Sequence, residues 1–313
     1  MSAPPTVLII GSTGATGFNI LTDSRSCHII GVIQQSTLND TTHAPRVAQL
    51  RSLGVEIRSG STNDTEEKIR VWLQKVDVVV SAVVARDLLT QIKVVKVTKE
   101  VGVTSFVPSD FAGYFPSGVM ALQDKKEIVH KYIVDSGIGY IFIDTGSWYV
   151  EAGLHHRLLT YTVIGSGDLP NAITHHPDVG NLVAKIVLDP RTLNKRVFCM
   201  AETITMNQMG KIYEEETGNK LTWTKADDEQ TLRRYKELHA TLPPLETNPD
   251  LPLELMLVDY TVARWIRGYN VPPEASLKSW HLYPEFKCIR WRGWIRHVAW
   301  KGVSVGAQLS VAT

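Results

Sequence analysis

An apolar run, Val7 to Ile10, breaks into three glycines, Gly11, Gly14 and Gly17, spaced G-x-x-G-x-x-G, and no other feature constrains the chain as strongly. A strand that ends in such a triplet and leads into a helix is the pyrophosphate-binding turn of a dinucleotide fold. The first glycine permits the tight turn, the second lets a pyrophosphate approach the backbone, and the third lets helix and strand pack closely. Gly11, Ser12, Thr13, Gly14, Ala15, Thr16 and Gly17 are therefore the expected cofactor cradle. The competing reading, a plain strand-to-helix turn, is the weaker one because strand and helix signals alternate from here onward.

The next strand is expected at His28 to Ile33, which leaves room for only about one turn of helix from Phe18 to Leu21. Short strands follow at Val55 to Arg58, Val76 to Ser81, Thr104 to Val107 and Tyr140 to Ile143. Between them lie a helix opened by an Asp64 to Glu67 capping box, one carrying Leu88, Leu89, Ile92 and Val95, and one from about Gln123 to Ser136 that stops at Gly137. This alternation predicts an α/β fold, a Rossmann-type doubly wound parallel sheet. Beyond it the pattern changes to proline-rich and charged segments between shorter runs. Helices are expected at Asp178 to Leu188 and Met206 to Thr217, a strand at Arg196 to Met200, and a proline-broken cover loop from Leu242 to Pro252. A smaller C-terminal α+β substrate domain is the expectation.

Composition removes several function classes. The 313 residues are 43% hydrophobic and carry 33 basic against 32 acidic side chains, a net charge of +1, so no global field recruits nucleic acid or an anionic membrane. Cys27, Cys199 and Cys288 are odd in number and far apart, which fits a reducing compartment. With no leader pattern and no long apolar run, a cytoplasmic monomer or homodimer acting on a small molecule is expected. His155, His156, His175 and His176 match no metal-ligand spacing, so no metal is expected. The basic and aromatic stretch Arg290 to Lys301 places Trp291, Trp294, Ile295 and Val298 at i, i+3, i+4 and i+7, a buried helical stripe rather than a nucleic-acid surface.

Three further segments carry a family resemblance. Phe106 to Phe111 (FVPSDF), Asp189 to Lys195 (DPRTLNK) and Leu282 to Lys287 (LYPEFK), together with the glycine turn, resemble in order the motifs of the NmrA-like, isoflavone-reductase-like branch of atypical short-chain dehydrogenases. The branch includes phenylcoumaran benzylic ether reductase, pinoresinol-lariciresinol reductase and eugenol synthase. The resemblance implies that residues 176–202 return to the nucleotide-binding domain, giving 1–152 plus 176–202 as that domain and 153–175 plus 203–313 as the substrate domain.

It also implies a catalytic lysine on the helix after the Pro108 to Asp110 segment, in place of the Tyr-x-x-x-Lys pair of ordinary members. Helical geometry alone leaves Lys125 and Lys126 both open; alignment of 126–140 with the family's helix selects Lys126, and Lys125 is then expected to matter little. At the adenine end, Gln34 stands where the family carries a basic residue for the 2′-phosphate of NADPH. No carboxylate follows the second strand to favour NADH, and Ser36 with Arg46 or Arg51 could hold a phosphate, so NADPH is favoured. Ser81 and Ala82 are expected near the adenosine. The resemblance sets Trp148 against the nicotinamide region, Tyr149 is a further proton-donor candidate, and Phe111, Trp148 and His155 are candidate substrate contacts.

The function so implied is NADPH-dependent hydride transfer to a C=N, C=O or conjugated C=C group of a small specialised metabolite. The alternative is an NmrA-type dinucleotide-sensing regulator that binds a protein partner and turns nothing over.

Overall fold

The computed structural model describes residues 4–21, 27–149, 160–247 and 250–300. The chain divides into two compact units: Met1–Phe111 with Lys125–Ile143 and Val179–Val197, and Ala112–Asp124 with Asp144–Asp178 and Phe198–Thr313.

The first unit is built on β1 (Thr6–Ile10), α1 (Ala15–Leu21), β2 (His28–Ile33), α2 (Gln35–Asn39), α3 (Ala44–Ser52), β3 (Glu56–Ser59), α4 (Glu66–Trp72), β4 (Val78–Ser81), α5 (Gln91–Glu100), β5 (Ser105–Val107), and most of α6 (Ala121–Ser136), β6 (Gly139–Asp144), α7 (His176–Ile186) and β7 (Lys195–Phe198), of which 121–124, 144, 176–178 and 198 count with the second unit. These strands lie in the order β7-β6-β5-β4-β1-β2-β3. β1 pairs in parallel with β2 on one side and β4 on the other, and β2–β3, β4–β5 and β5–β6 are parallel too. The strand order therefore reverses at β1, the switch point outside which ligands gather in doubly wound sheets. β1 and β4 are buried almost throughout because helices cover both faces, which is why their sequences are unbroken apolar runs. Leu8, Ile30, Val79, Phe106, Val94, Val129 and Ile133 share one core.

Several boundaries differ from expectation. Helix α1 starts at Ala15, with the Phe18 N–H donating to Gly14 O at 2.9 Å, so the glycine turn itself supplies its first residues. Helix α4 is capped by Thr65, whose hydroxyl accepts from Lys68 N, while the Asp64 carboxylate turns back to accept from Ser61 N at 2.8 Å. Helices α2 and α3 were not foreseen; neither has a side-chain cap, and α2 buries no residue.

The second unit holds a sheet of Glu202–Ile204, Asn171–Thr174 and Ser147–Trp148, and a second pair, Thr222–Lys225 beside Thr160–Val163. Its helices include α8 (Met206–Thr217), α9 (Asp228–Ala240), α10 (Leu253–Thr261) and α11 (Trp291–Trp300). Against the sequence-based boundary this unit also takes in 112–124, 144–152, 176–178 and 198–202. The reason is packing: Phe115, Val119 and Met120 bury against Ala263, and Ala121 against Leu251 and Leu255. Leu242, Leu245 and Leu251 thereby anchor the expected cover loop in that second core. The tryptophan stripe is a packed helix face: Trp291, Trp294 and Ile295 are buried, while Arg292 and Arg296 pair with Glu216 on α8.

No described helix is long and apolar enough to cross a membrane.

Candidate active site

The glycine turn is shaped by close contact. Gly11 adopts φ +79°, and a Cβ there would sit 2.4 Å from Ala82 O. A Cβ on Gly17 would lie 2.3 Å from Gly11 O. Both are therefore locked to glycine, the one by handedness and the other by the approach of α1 to the turn. Gly14 differs: it is exposed, and a Cβ would meet only Gly11 O at 3.2 Å, so its outer face is open to a ligand. From the far side, Gly180 of α7 lets that helix approach so closely that a Cβ would reach Asn19 O at 2.2 Å, which fixes α1 in place. The Ser12 hydroxyl donates to Ile9 O at 2.7 Å, so only the backbone of Ser12 remains for a ligand.

At the adenine end, Gln34 and Ser36 are exposed after β2. Arg46 reaches back from α3, donating from Nη1 to Thr13 O at 2.7 Å with its guanidinium 4.9 Å from the centre of the Phe18 ring. Arg51 is exposed in the last turn of the same helix. The Ser81 hydroxyl, at the carboxyl end of β4, is buried with no partner among the described residues, a polar atom in need of a ligand's hydrogen bond. An open Gly14, a cationic Arg46 on the turn and an orphaned Ser81 fit a dinucleotide.

After β5 the chain turns through Pro108, Ser109 and Asp110. Lys126 of α6, 7% exposed, donates from Nζ to Asp110 O at 2.6 Å. His130 lies one helical turn further on, the same face by helical periodicity, with Nε2 2.8 and 2.9 Å from the two Asp110 carboxylate oxygens. Burial disfavours charge on both partners, yet each sustains the other. The His130 imidazole, followed by Lys126 and Arg196, holds the Asp110 carboxyl below its ordinary value, and Asp110, with Glu127 adding, raises His130 to about 9. The pair is thus an ion pair at neutral pH, next to a buried ammonium.

Residues 4–157 match the NmrA-like family. Over 93% of this chain and 94% of the relative, the sequence is 30% identical to an asnovolin J 5′,6′-dehydrogenase of Aspergillus novofumigatus. The chain belongs to the NmrA-like family. A phenylcoumaran benzylic ether reductase of Nicotiana tabacum is 27% identical over 92% of this chain and 96% of its own. Among solved structures, the binary complex of leucoanthocyanidin reductase and NADPH from Vitis vinifera has the same fold, with a TM-score of 0.81 at 22% identity over 94% of this chain and 99% of that one.

In this NmrA-like chain the remaining candidates fall out unevenly. Lys125 is completely buried, so removing its long side chain would disturb packing whatever its part in turnover. Phe111 is 5% exposed, packed as core rather than presented to a substrate. Trp148 stacks on His176, ring centres 4.0 Å apart and planes 17° apart, and its indole N–H donates to the Thr145 hydroxyl at 3.3 Å. Tyr149 is corrected as a proton donor. It is 2% exposed, its hydroxyl donates to Ile289 O at 2.5 Å, and burial, with Glu202 and Asp178 adding, pushes its phenol far above the ordinary value. His155 lies outside the described residues. Among the described residues no three His, Cys, Asp or Glu side chains gather as a metal would need.

Sequence reading missed His130 and Gly180. The first was legible as the i+4 neighbour of Lys126, whereas the second has no local signal, because its need for glycine arises from a helix 160 residues away in sequence.

Proposed function

We propose that this protein is an NADPH-dependent reductase of a small specialised metabolite. The observation that carries it is a single unit holding both an open-faced glycine turn and a buried lysine seated on the Asp110 carbonyl. The names of its relatives, a dehydrogenase and a benzylic ether reductase, support redox chemistry of this kind.

In this reading the backbone of Gly11 to Gly17 receives the pyrophosphate, Ser81 and Ala82 border the adenosine, and Arg46 with Ser36 meets the 2′-phosphate. Arg46 supplies the cation that Gln34 does not. The bound nicotinamide supplies the hydride. Lys126 orients the cofactor and, directly or through a water, gives a proton to the atom that receives electron density in the substrate. Trp148 offers an aromatic face of the kind against which a planar ring packs. The substrate would carry a C=N, C=O or conjugated C=C group.

The test is loss of NADPH absorbance with a panel of cyclic imines, ketones and conjugated enones, with a reverse arm of NADP+ and the saturated products. Turnover of one class, cut about 100-fold or more in Lys126→Ala, is expected. Turnover in neither direction, or an unimpaired Lys126→Ala, contradicts the proposal.

A further inference from the structure

The segment bearing the Lys126 acceptor is held from two sides. Ser109 is pinned by its N–H on Gln91 Oε1 at 3.0 Å and its hydroxyl on Val83 O at 2.8 Å. Asp110 is pinned by His130 of α6, through a contact to both carboxylate oxygens. The imidazole is itself fixed as a plate: it stacks on Phe142 at 4.1 Å, Phe142 stacks on Tyr140 at 4.4 Å, and Arg196 lies 5.2 Å from the centre of the Phe142 ring. The charged groups around the His130–Asp110 pair are Lys126 and Glu127 from α6, the former acting on Asp110 and the latter on His130, and Arg196 from β7, whose Nη2 is 3.4 Å from His130 Nδ1.

We infer that His130 is a positioning residue, which by occupying the Asp110 carboxylate keeps the Lys126 ammonium on the Asp110 carbonyl instead of on that carboxylate. The physical reason is competition. A buried carboxylate stripped of one cationic partner draws more strongly on those that remain, and Lys126 is already bonded to the same residue. Captured there, the ammonium would move from its seat and hold its proton more tightly, the opposite of what a proton donor requires. This inference rests on the reading of Lys126 as the working group.

The experiment is competitive acetylation of the full-length protein with acetic anhydride across a pH series, with Lys126 read by mass spectrometry and exposed Lys211 as internal control. In His130→Leu the Lys126 profile should move upward by about one pH unit or more, the scale of an opposite charge at contact distance. His130→Gln, which keeps an N–H for Asp110 but not the charge, should fall between His130→Leu and the wild type, and Lys211 should not move in either. Superimposed Lys126 profiles in His130→Leu and wild type overturn the inference. If His130→Leu does not fold, Asp110→Asn carries the test: it keeps the carbonyl and removes the charge, so a downward shift supports the clamp and an unchanged profile overturns it. NADPH titration of the same wild-type protein judges the reductase reading separately. Binding with superimposed profiles removes the clamp alone, and shifted profiles without NADPH uptake remove the reductase reading alone.

Discussion

His130 and His176 are both largely buried and both stacked on an aromatic ring, yet they sit in opposite electrostatic states. His130, in the first unit, faces the Asp110 carboxylate and is raised to about 9. His176, in the second, lies against Trp148 with its Nε2 unpartnered among the described residues, and burial, followed by neighbouring His175, lowers it to about 4. At these two places the first unit thus holds a charged ring and the second a neutral one. Ring stacking is common to the two, so it is the carboxylate that decides the charge.

The largest effect is expected where the first unit depends on bare backbone. Gly17→Ala forces a Cβ against Gly11 O, a backbone atom that cannot swing away, and overpacking of this kind costs about 1–3 kcal/mol. NADPH affinity should fall about tenfold or more by isothermal titration. The matched change in the second unit is Gly210→Ala, whose Cβ would meet the Trp223 ring at 2.4 Å. It should lower the melting temperature while leaving NADPH affinity near wild type. Equal losses of affinity would erase the contrast between the units.

A smaller effect separates the two histidines by pH. Because the folded state binds the His130 proton more tightly than the unfolded chain, its stabilisation is complete below about pH 6.5 and fades as pH rises through about 9. His176 has the reverse sign: folding favours its neutral form, so stability is lost as pH falls from about 6.5 toward 4. Thermal melts should therefore show His130→Gln diverging from wild type on the acidic side of pH 9 and converging above it. His176→Phe, which keeps the stack, should flatten the fall below about pH 6.5. The same pH dependence in both variants would refute the assigned charge states.

The sheet was legible because β1 and β4 are unbroken apolar runs and the glycine triplet marks the switch point. The turn itself was equally plain from its glycine spacing, although only Gly17 answers to a near neighbour, Gly11, while Gly11 answers to Ala82 across the sheet. The unit boundary was not: 112–124 leaves the nucleotide-binding unit because Ala121 and Met120 pack on Leu251, Leu255 and Ala263, far later in the chain. Lys126 emerged from the family resemblance, while its seat on Asp110 and the burial of Lys125 depend on how α6 faces the β5 loop. Tyr149 was a proton-donor candidate by residue type and place after β6, yet its ring is buried and its hydroxyl is spent on Ile289, neither of which has a local signal.

The central claim is that the first unit binds a phosphorylated nicotinamide dinucleotide, and the melting transition of the full chain with NADPH, NADH or neither tests it most directly. At 100 times its dissociation constant a ligand specific for the folded state adds about 2.7 kcal/mol of stability. The account predicts a clear rise in melting temperature with NADPH, a smaller one with NADH at the same concentration, and loss of the difference in Arg46→Ala. An unchanged melting temperature with saturating amounts of either cofactor would contradict it.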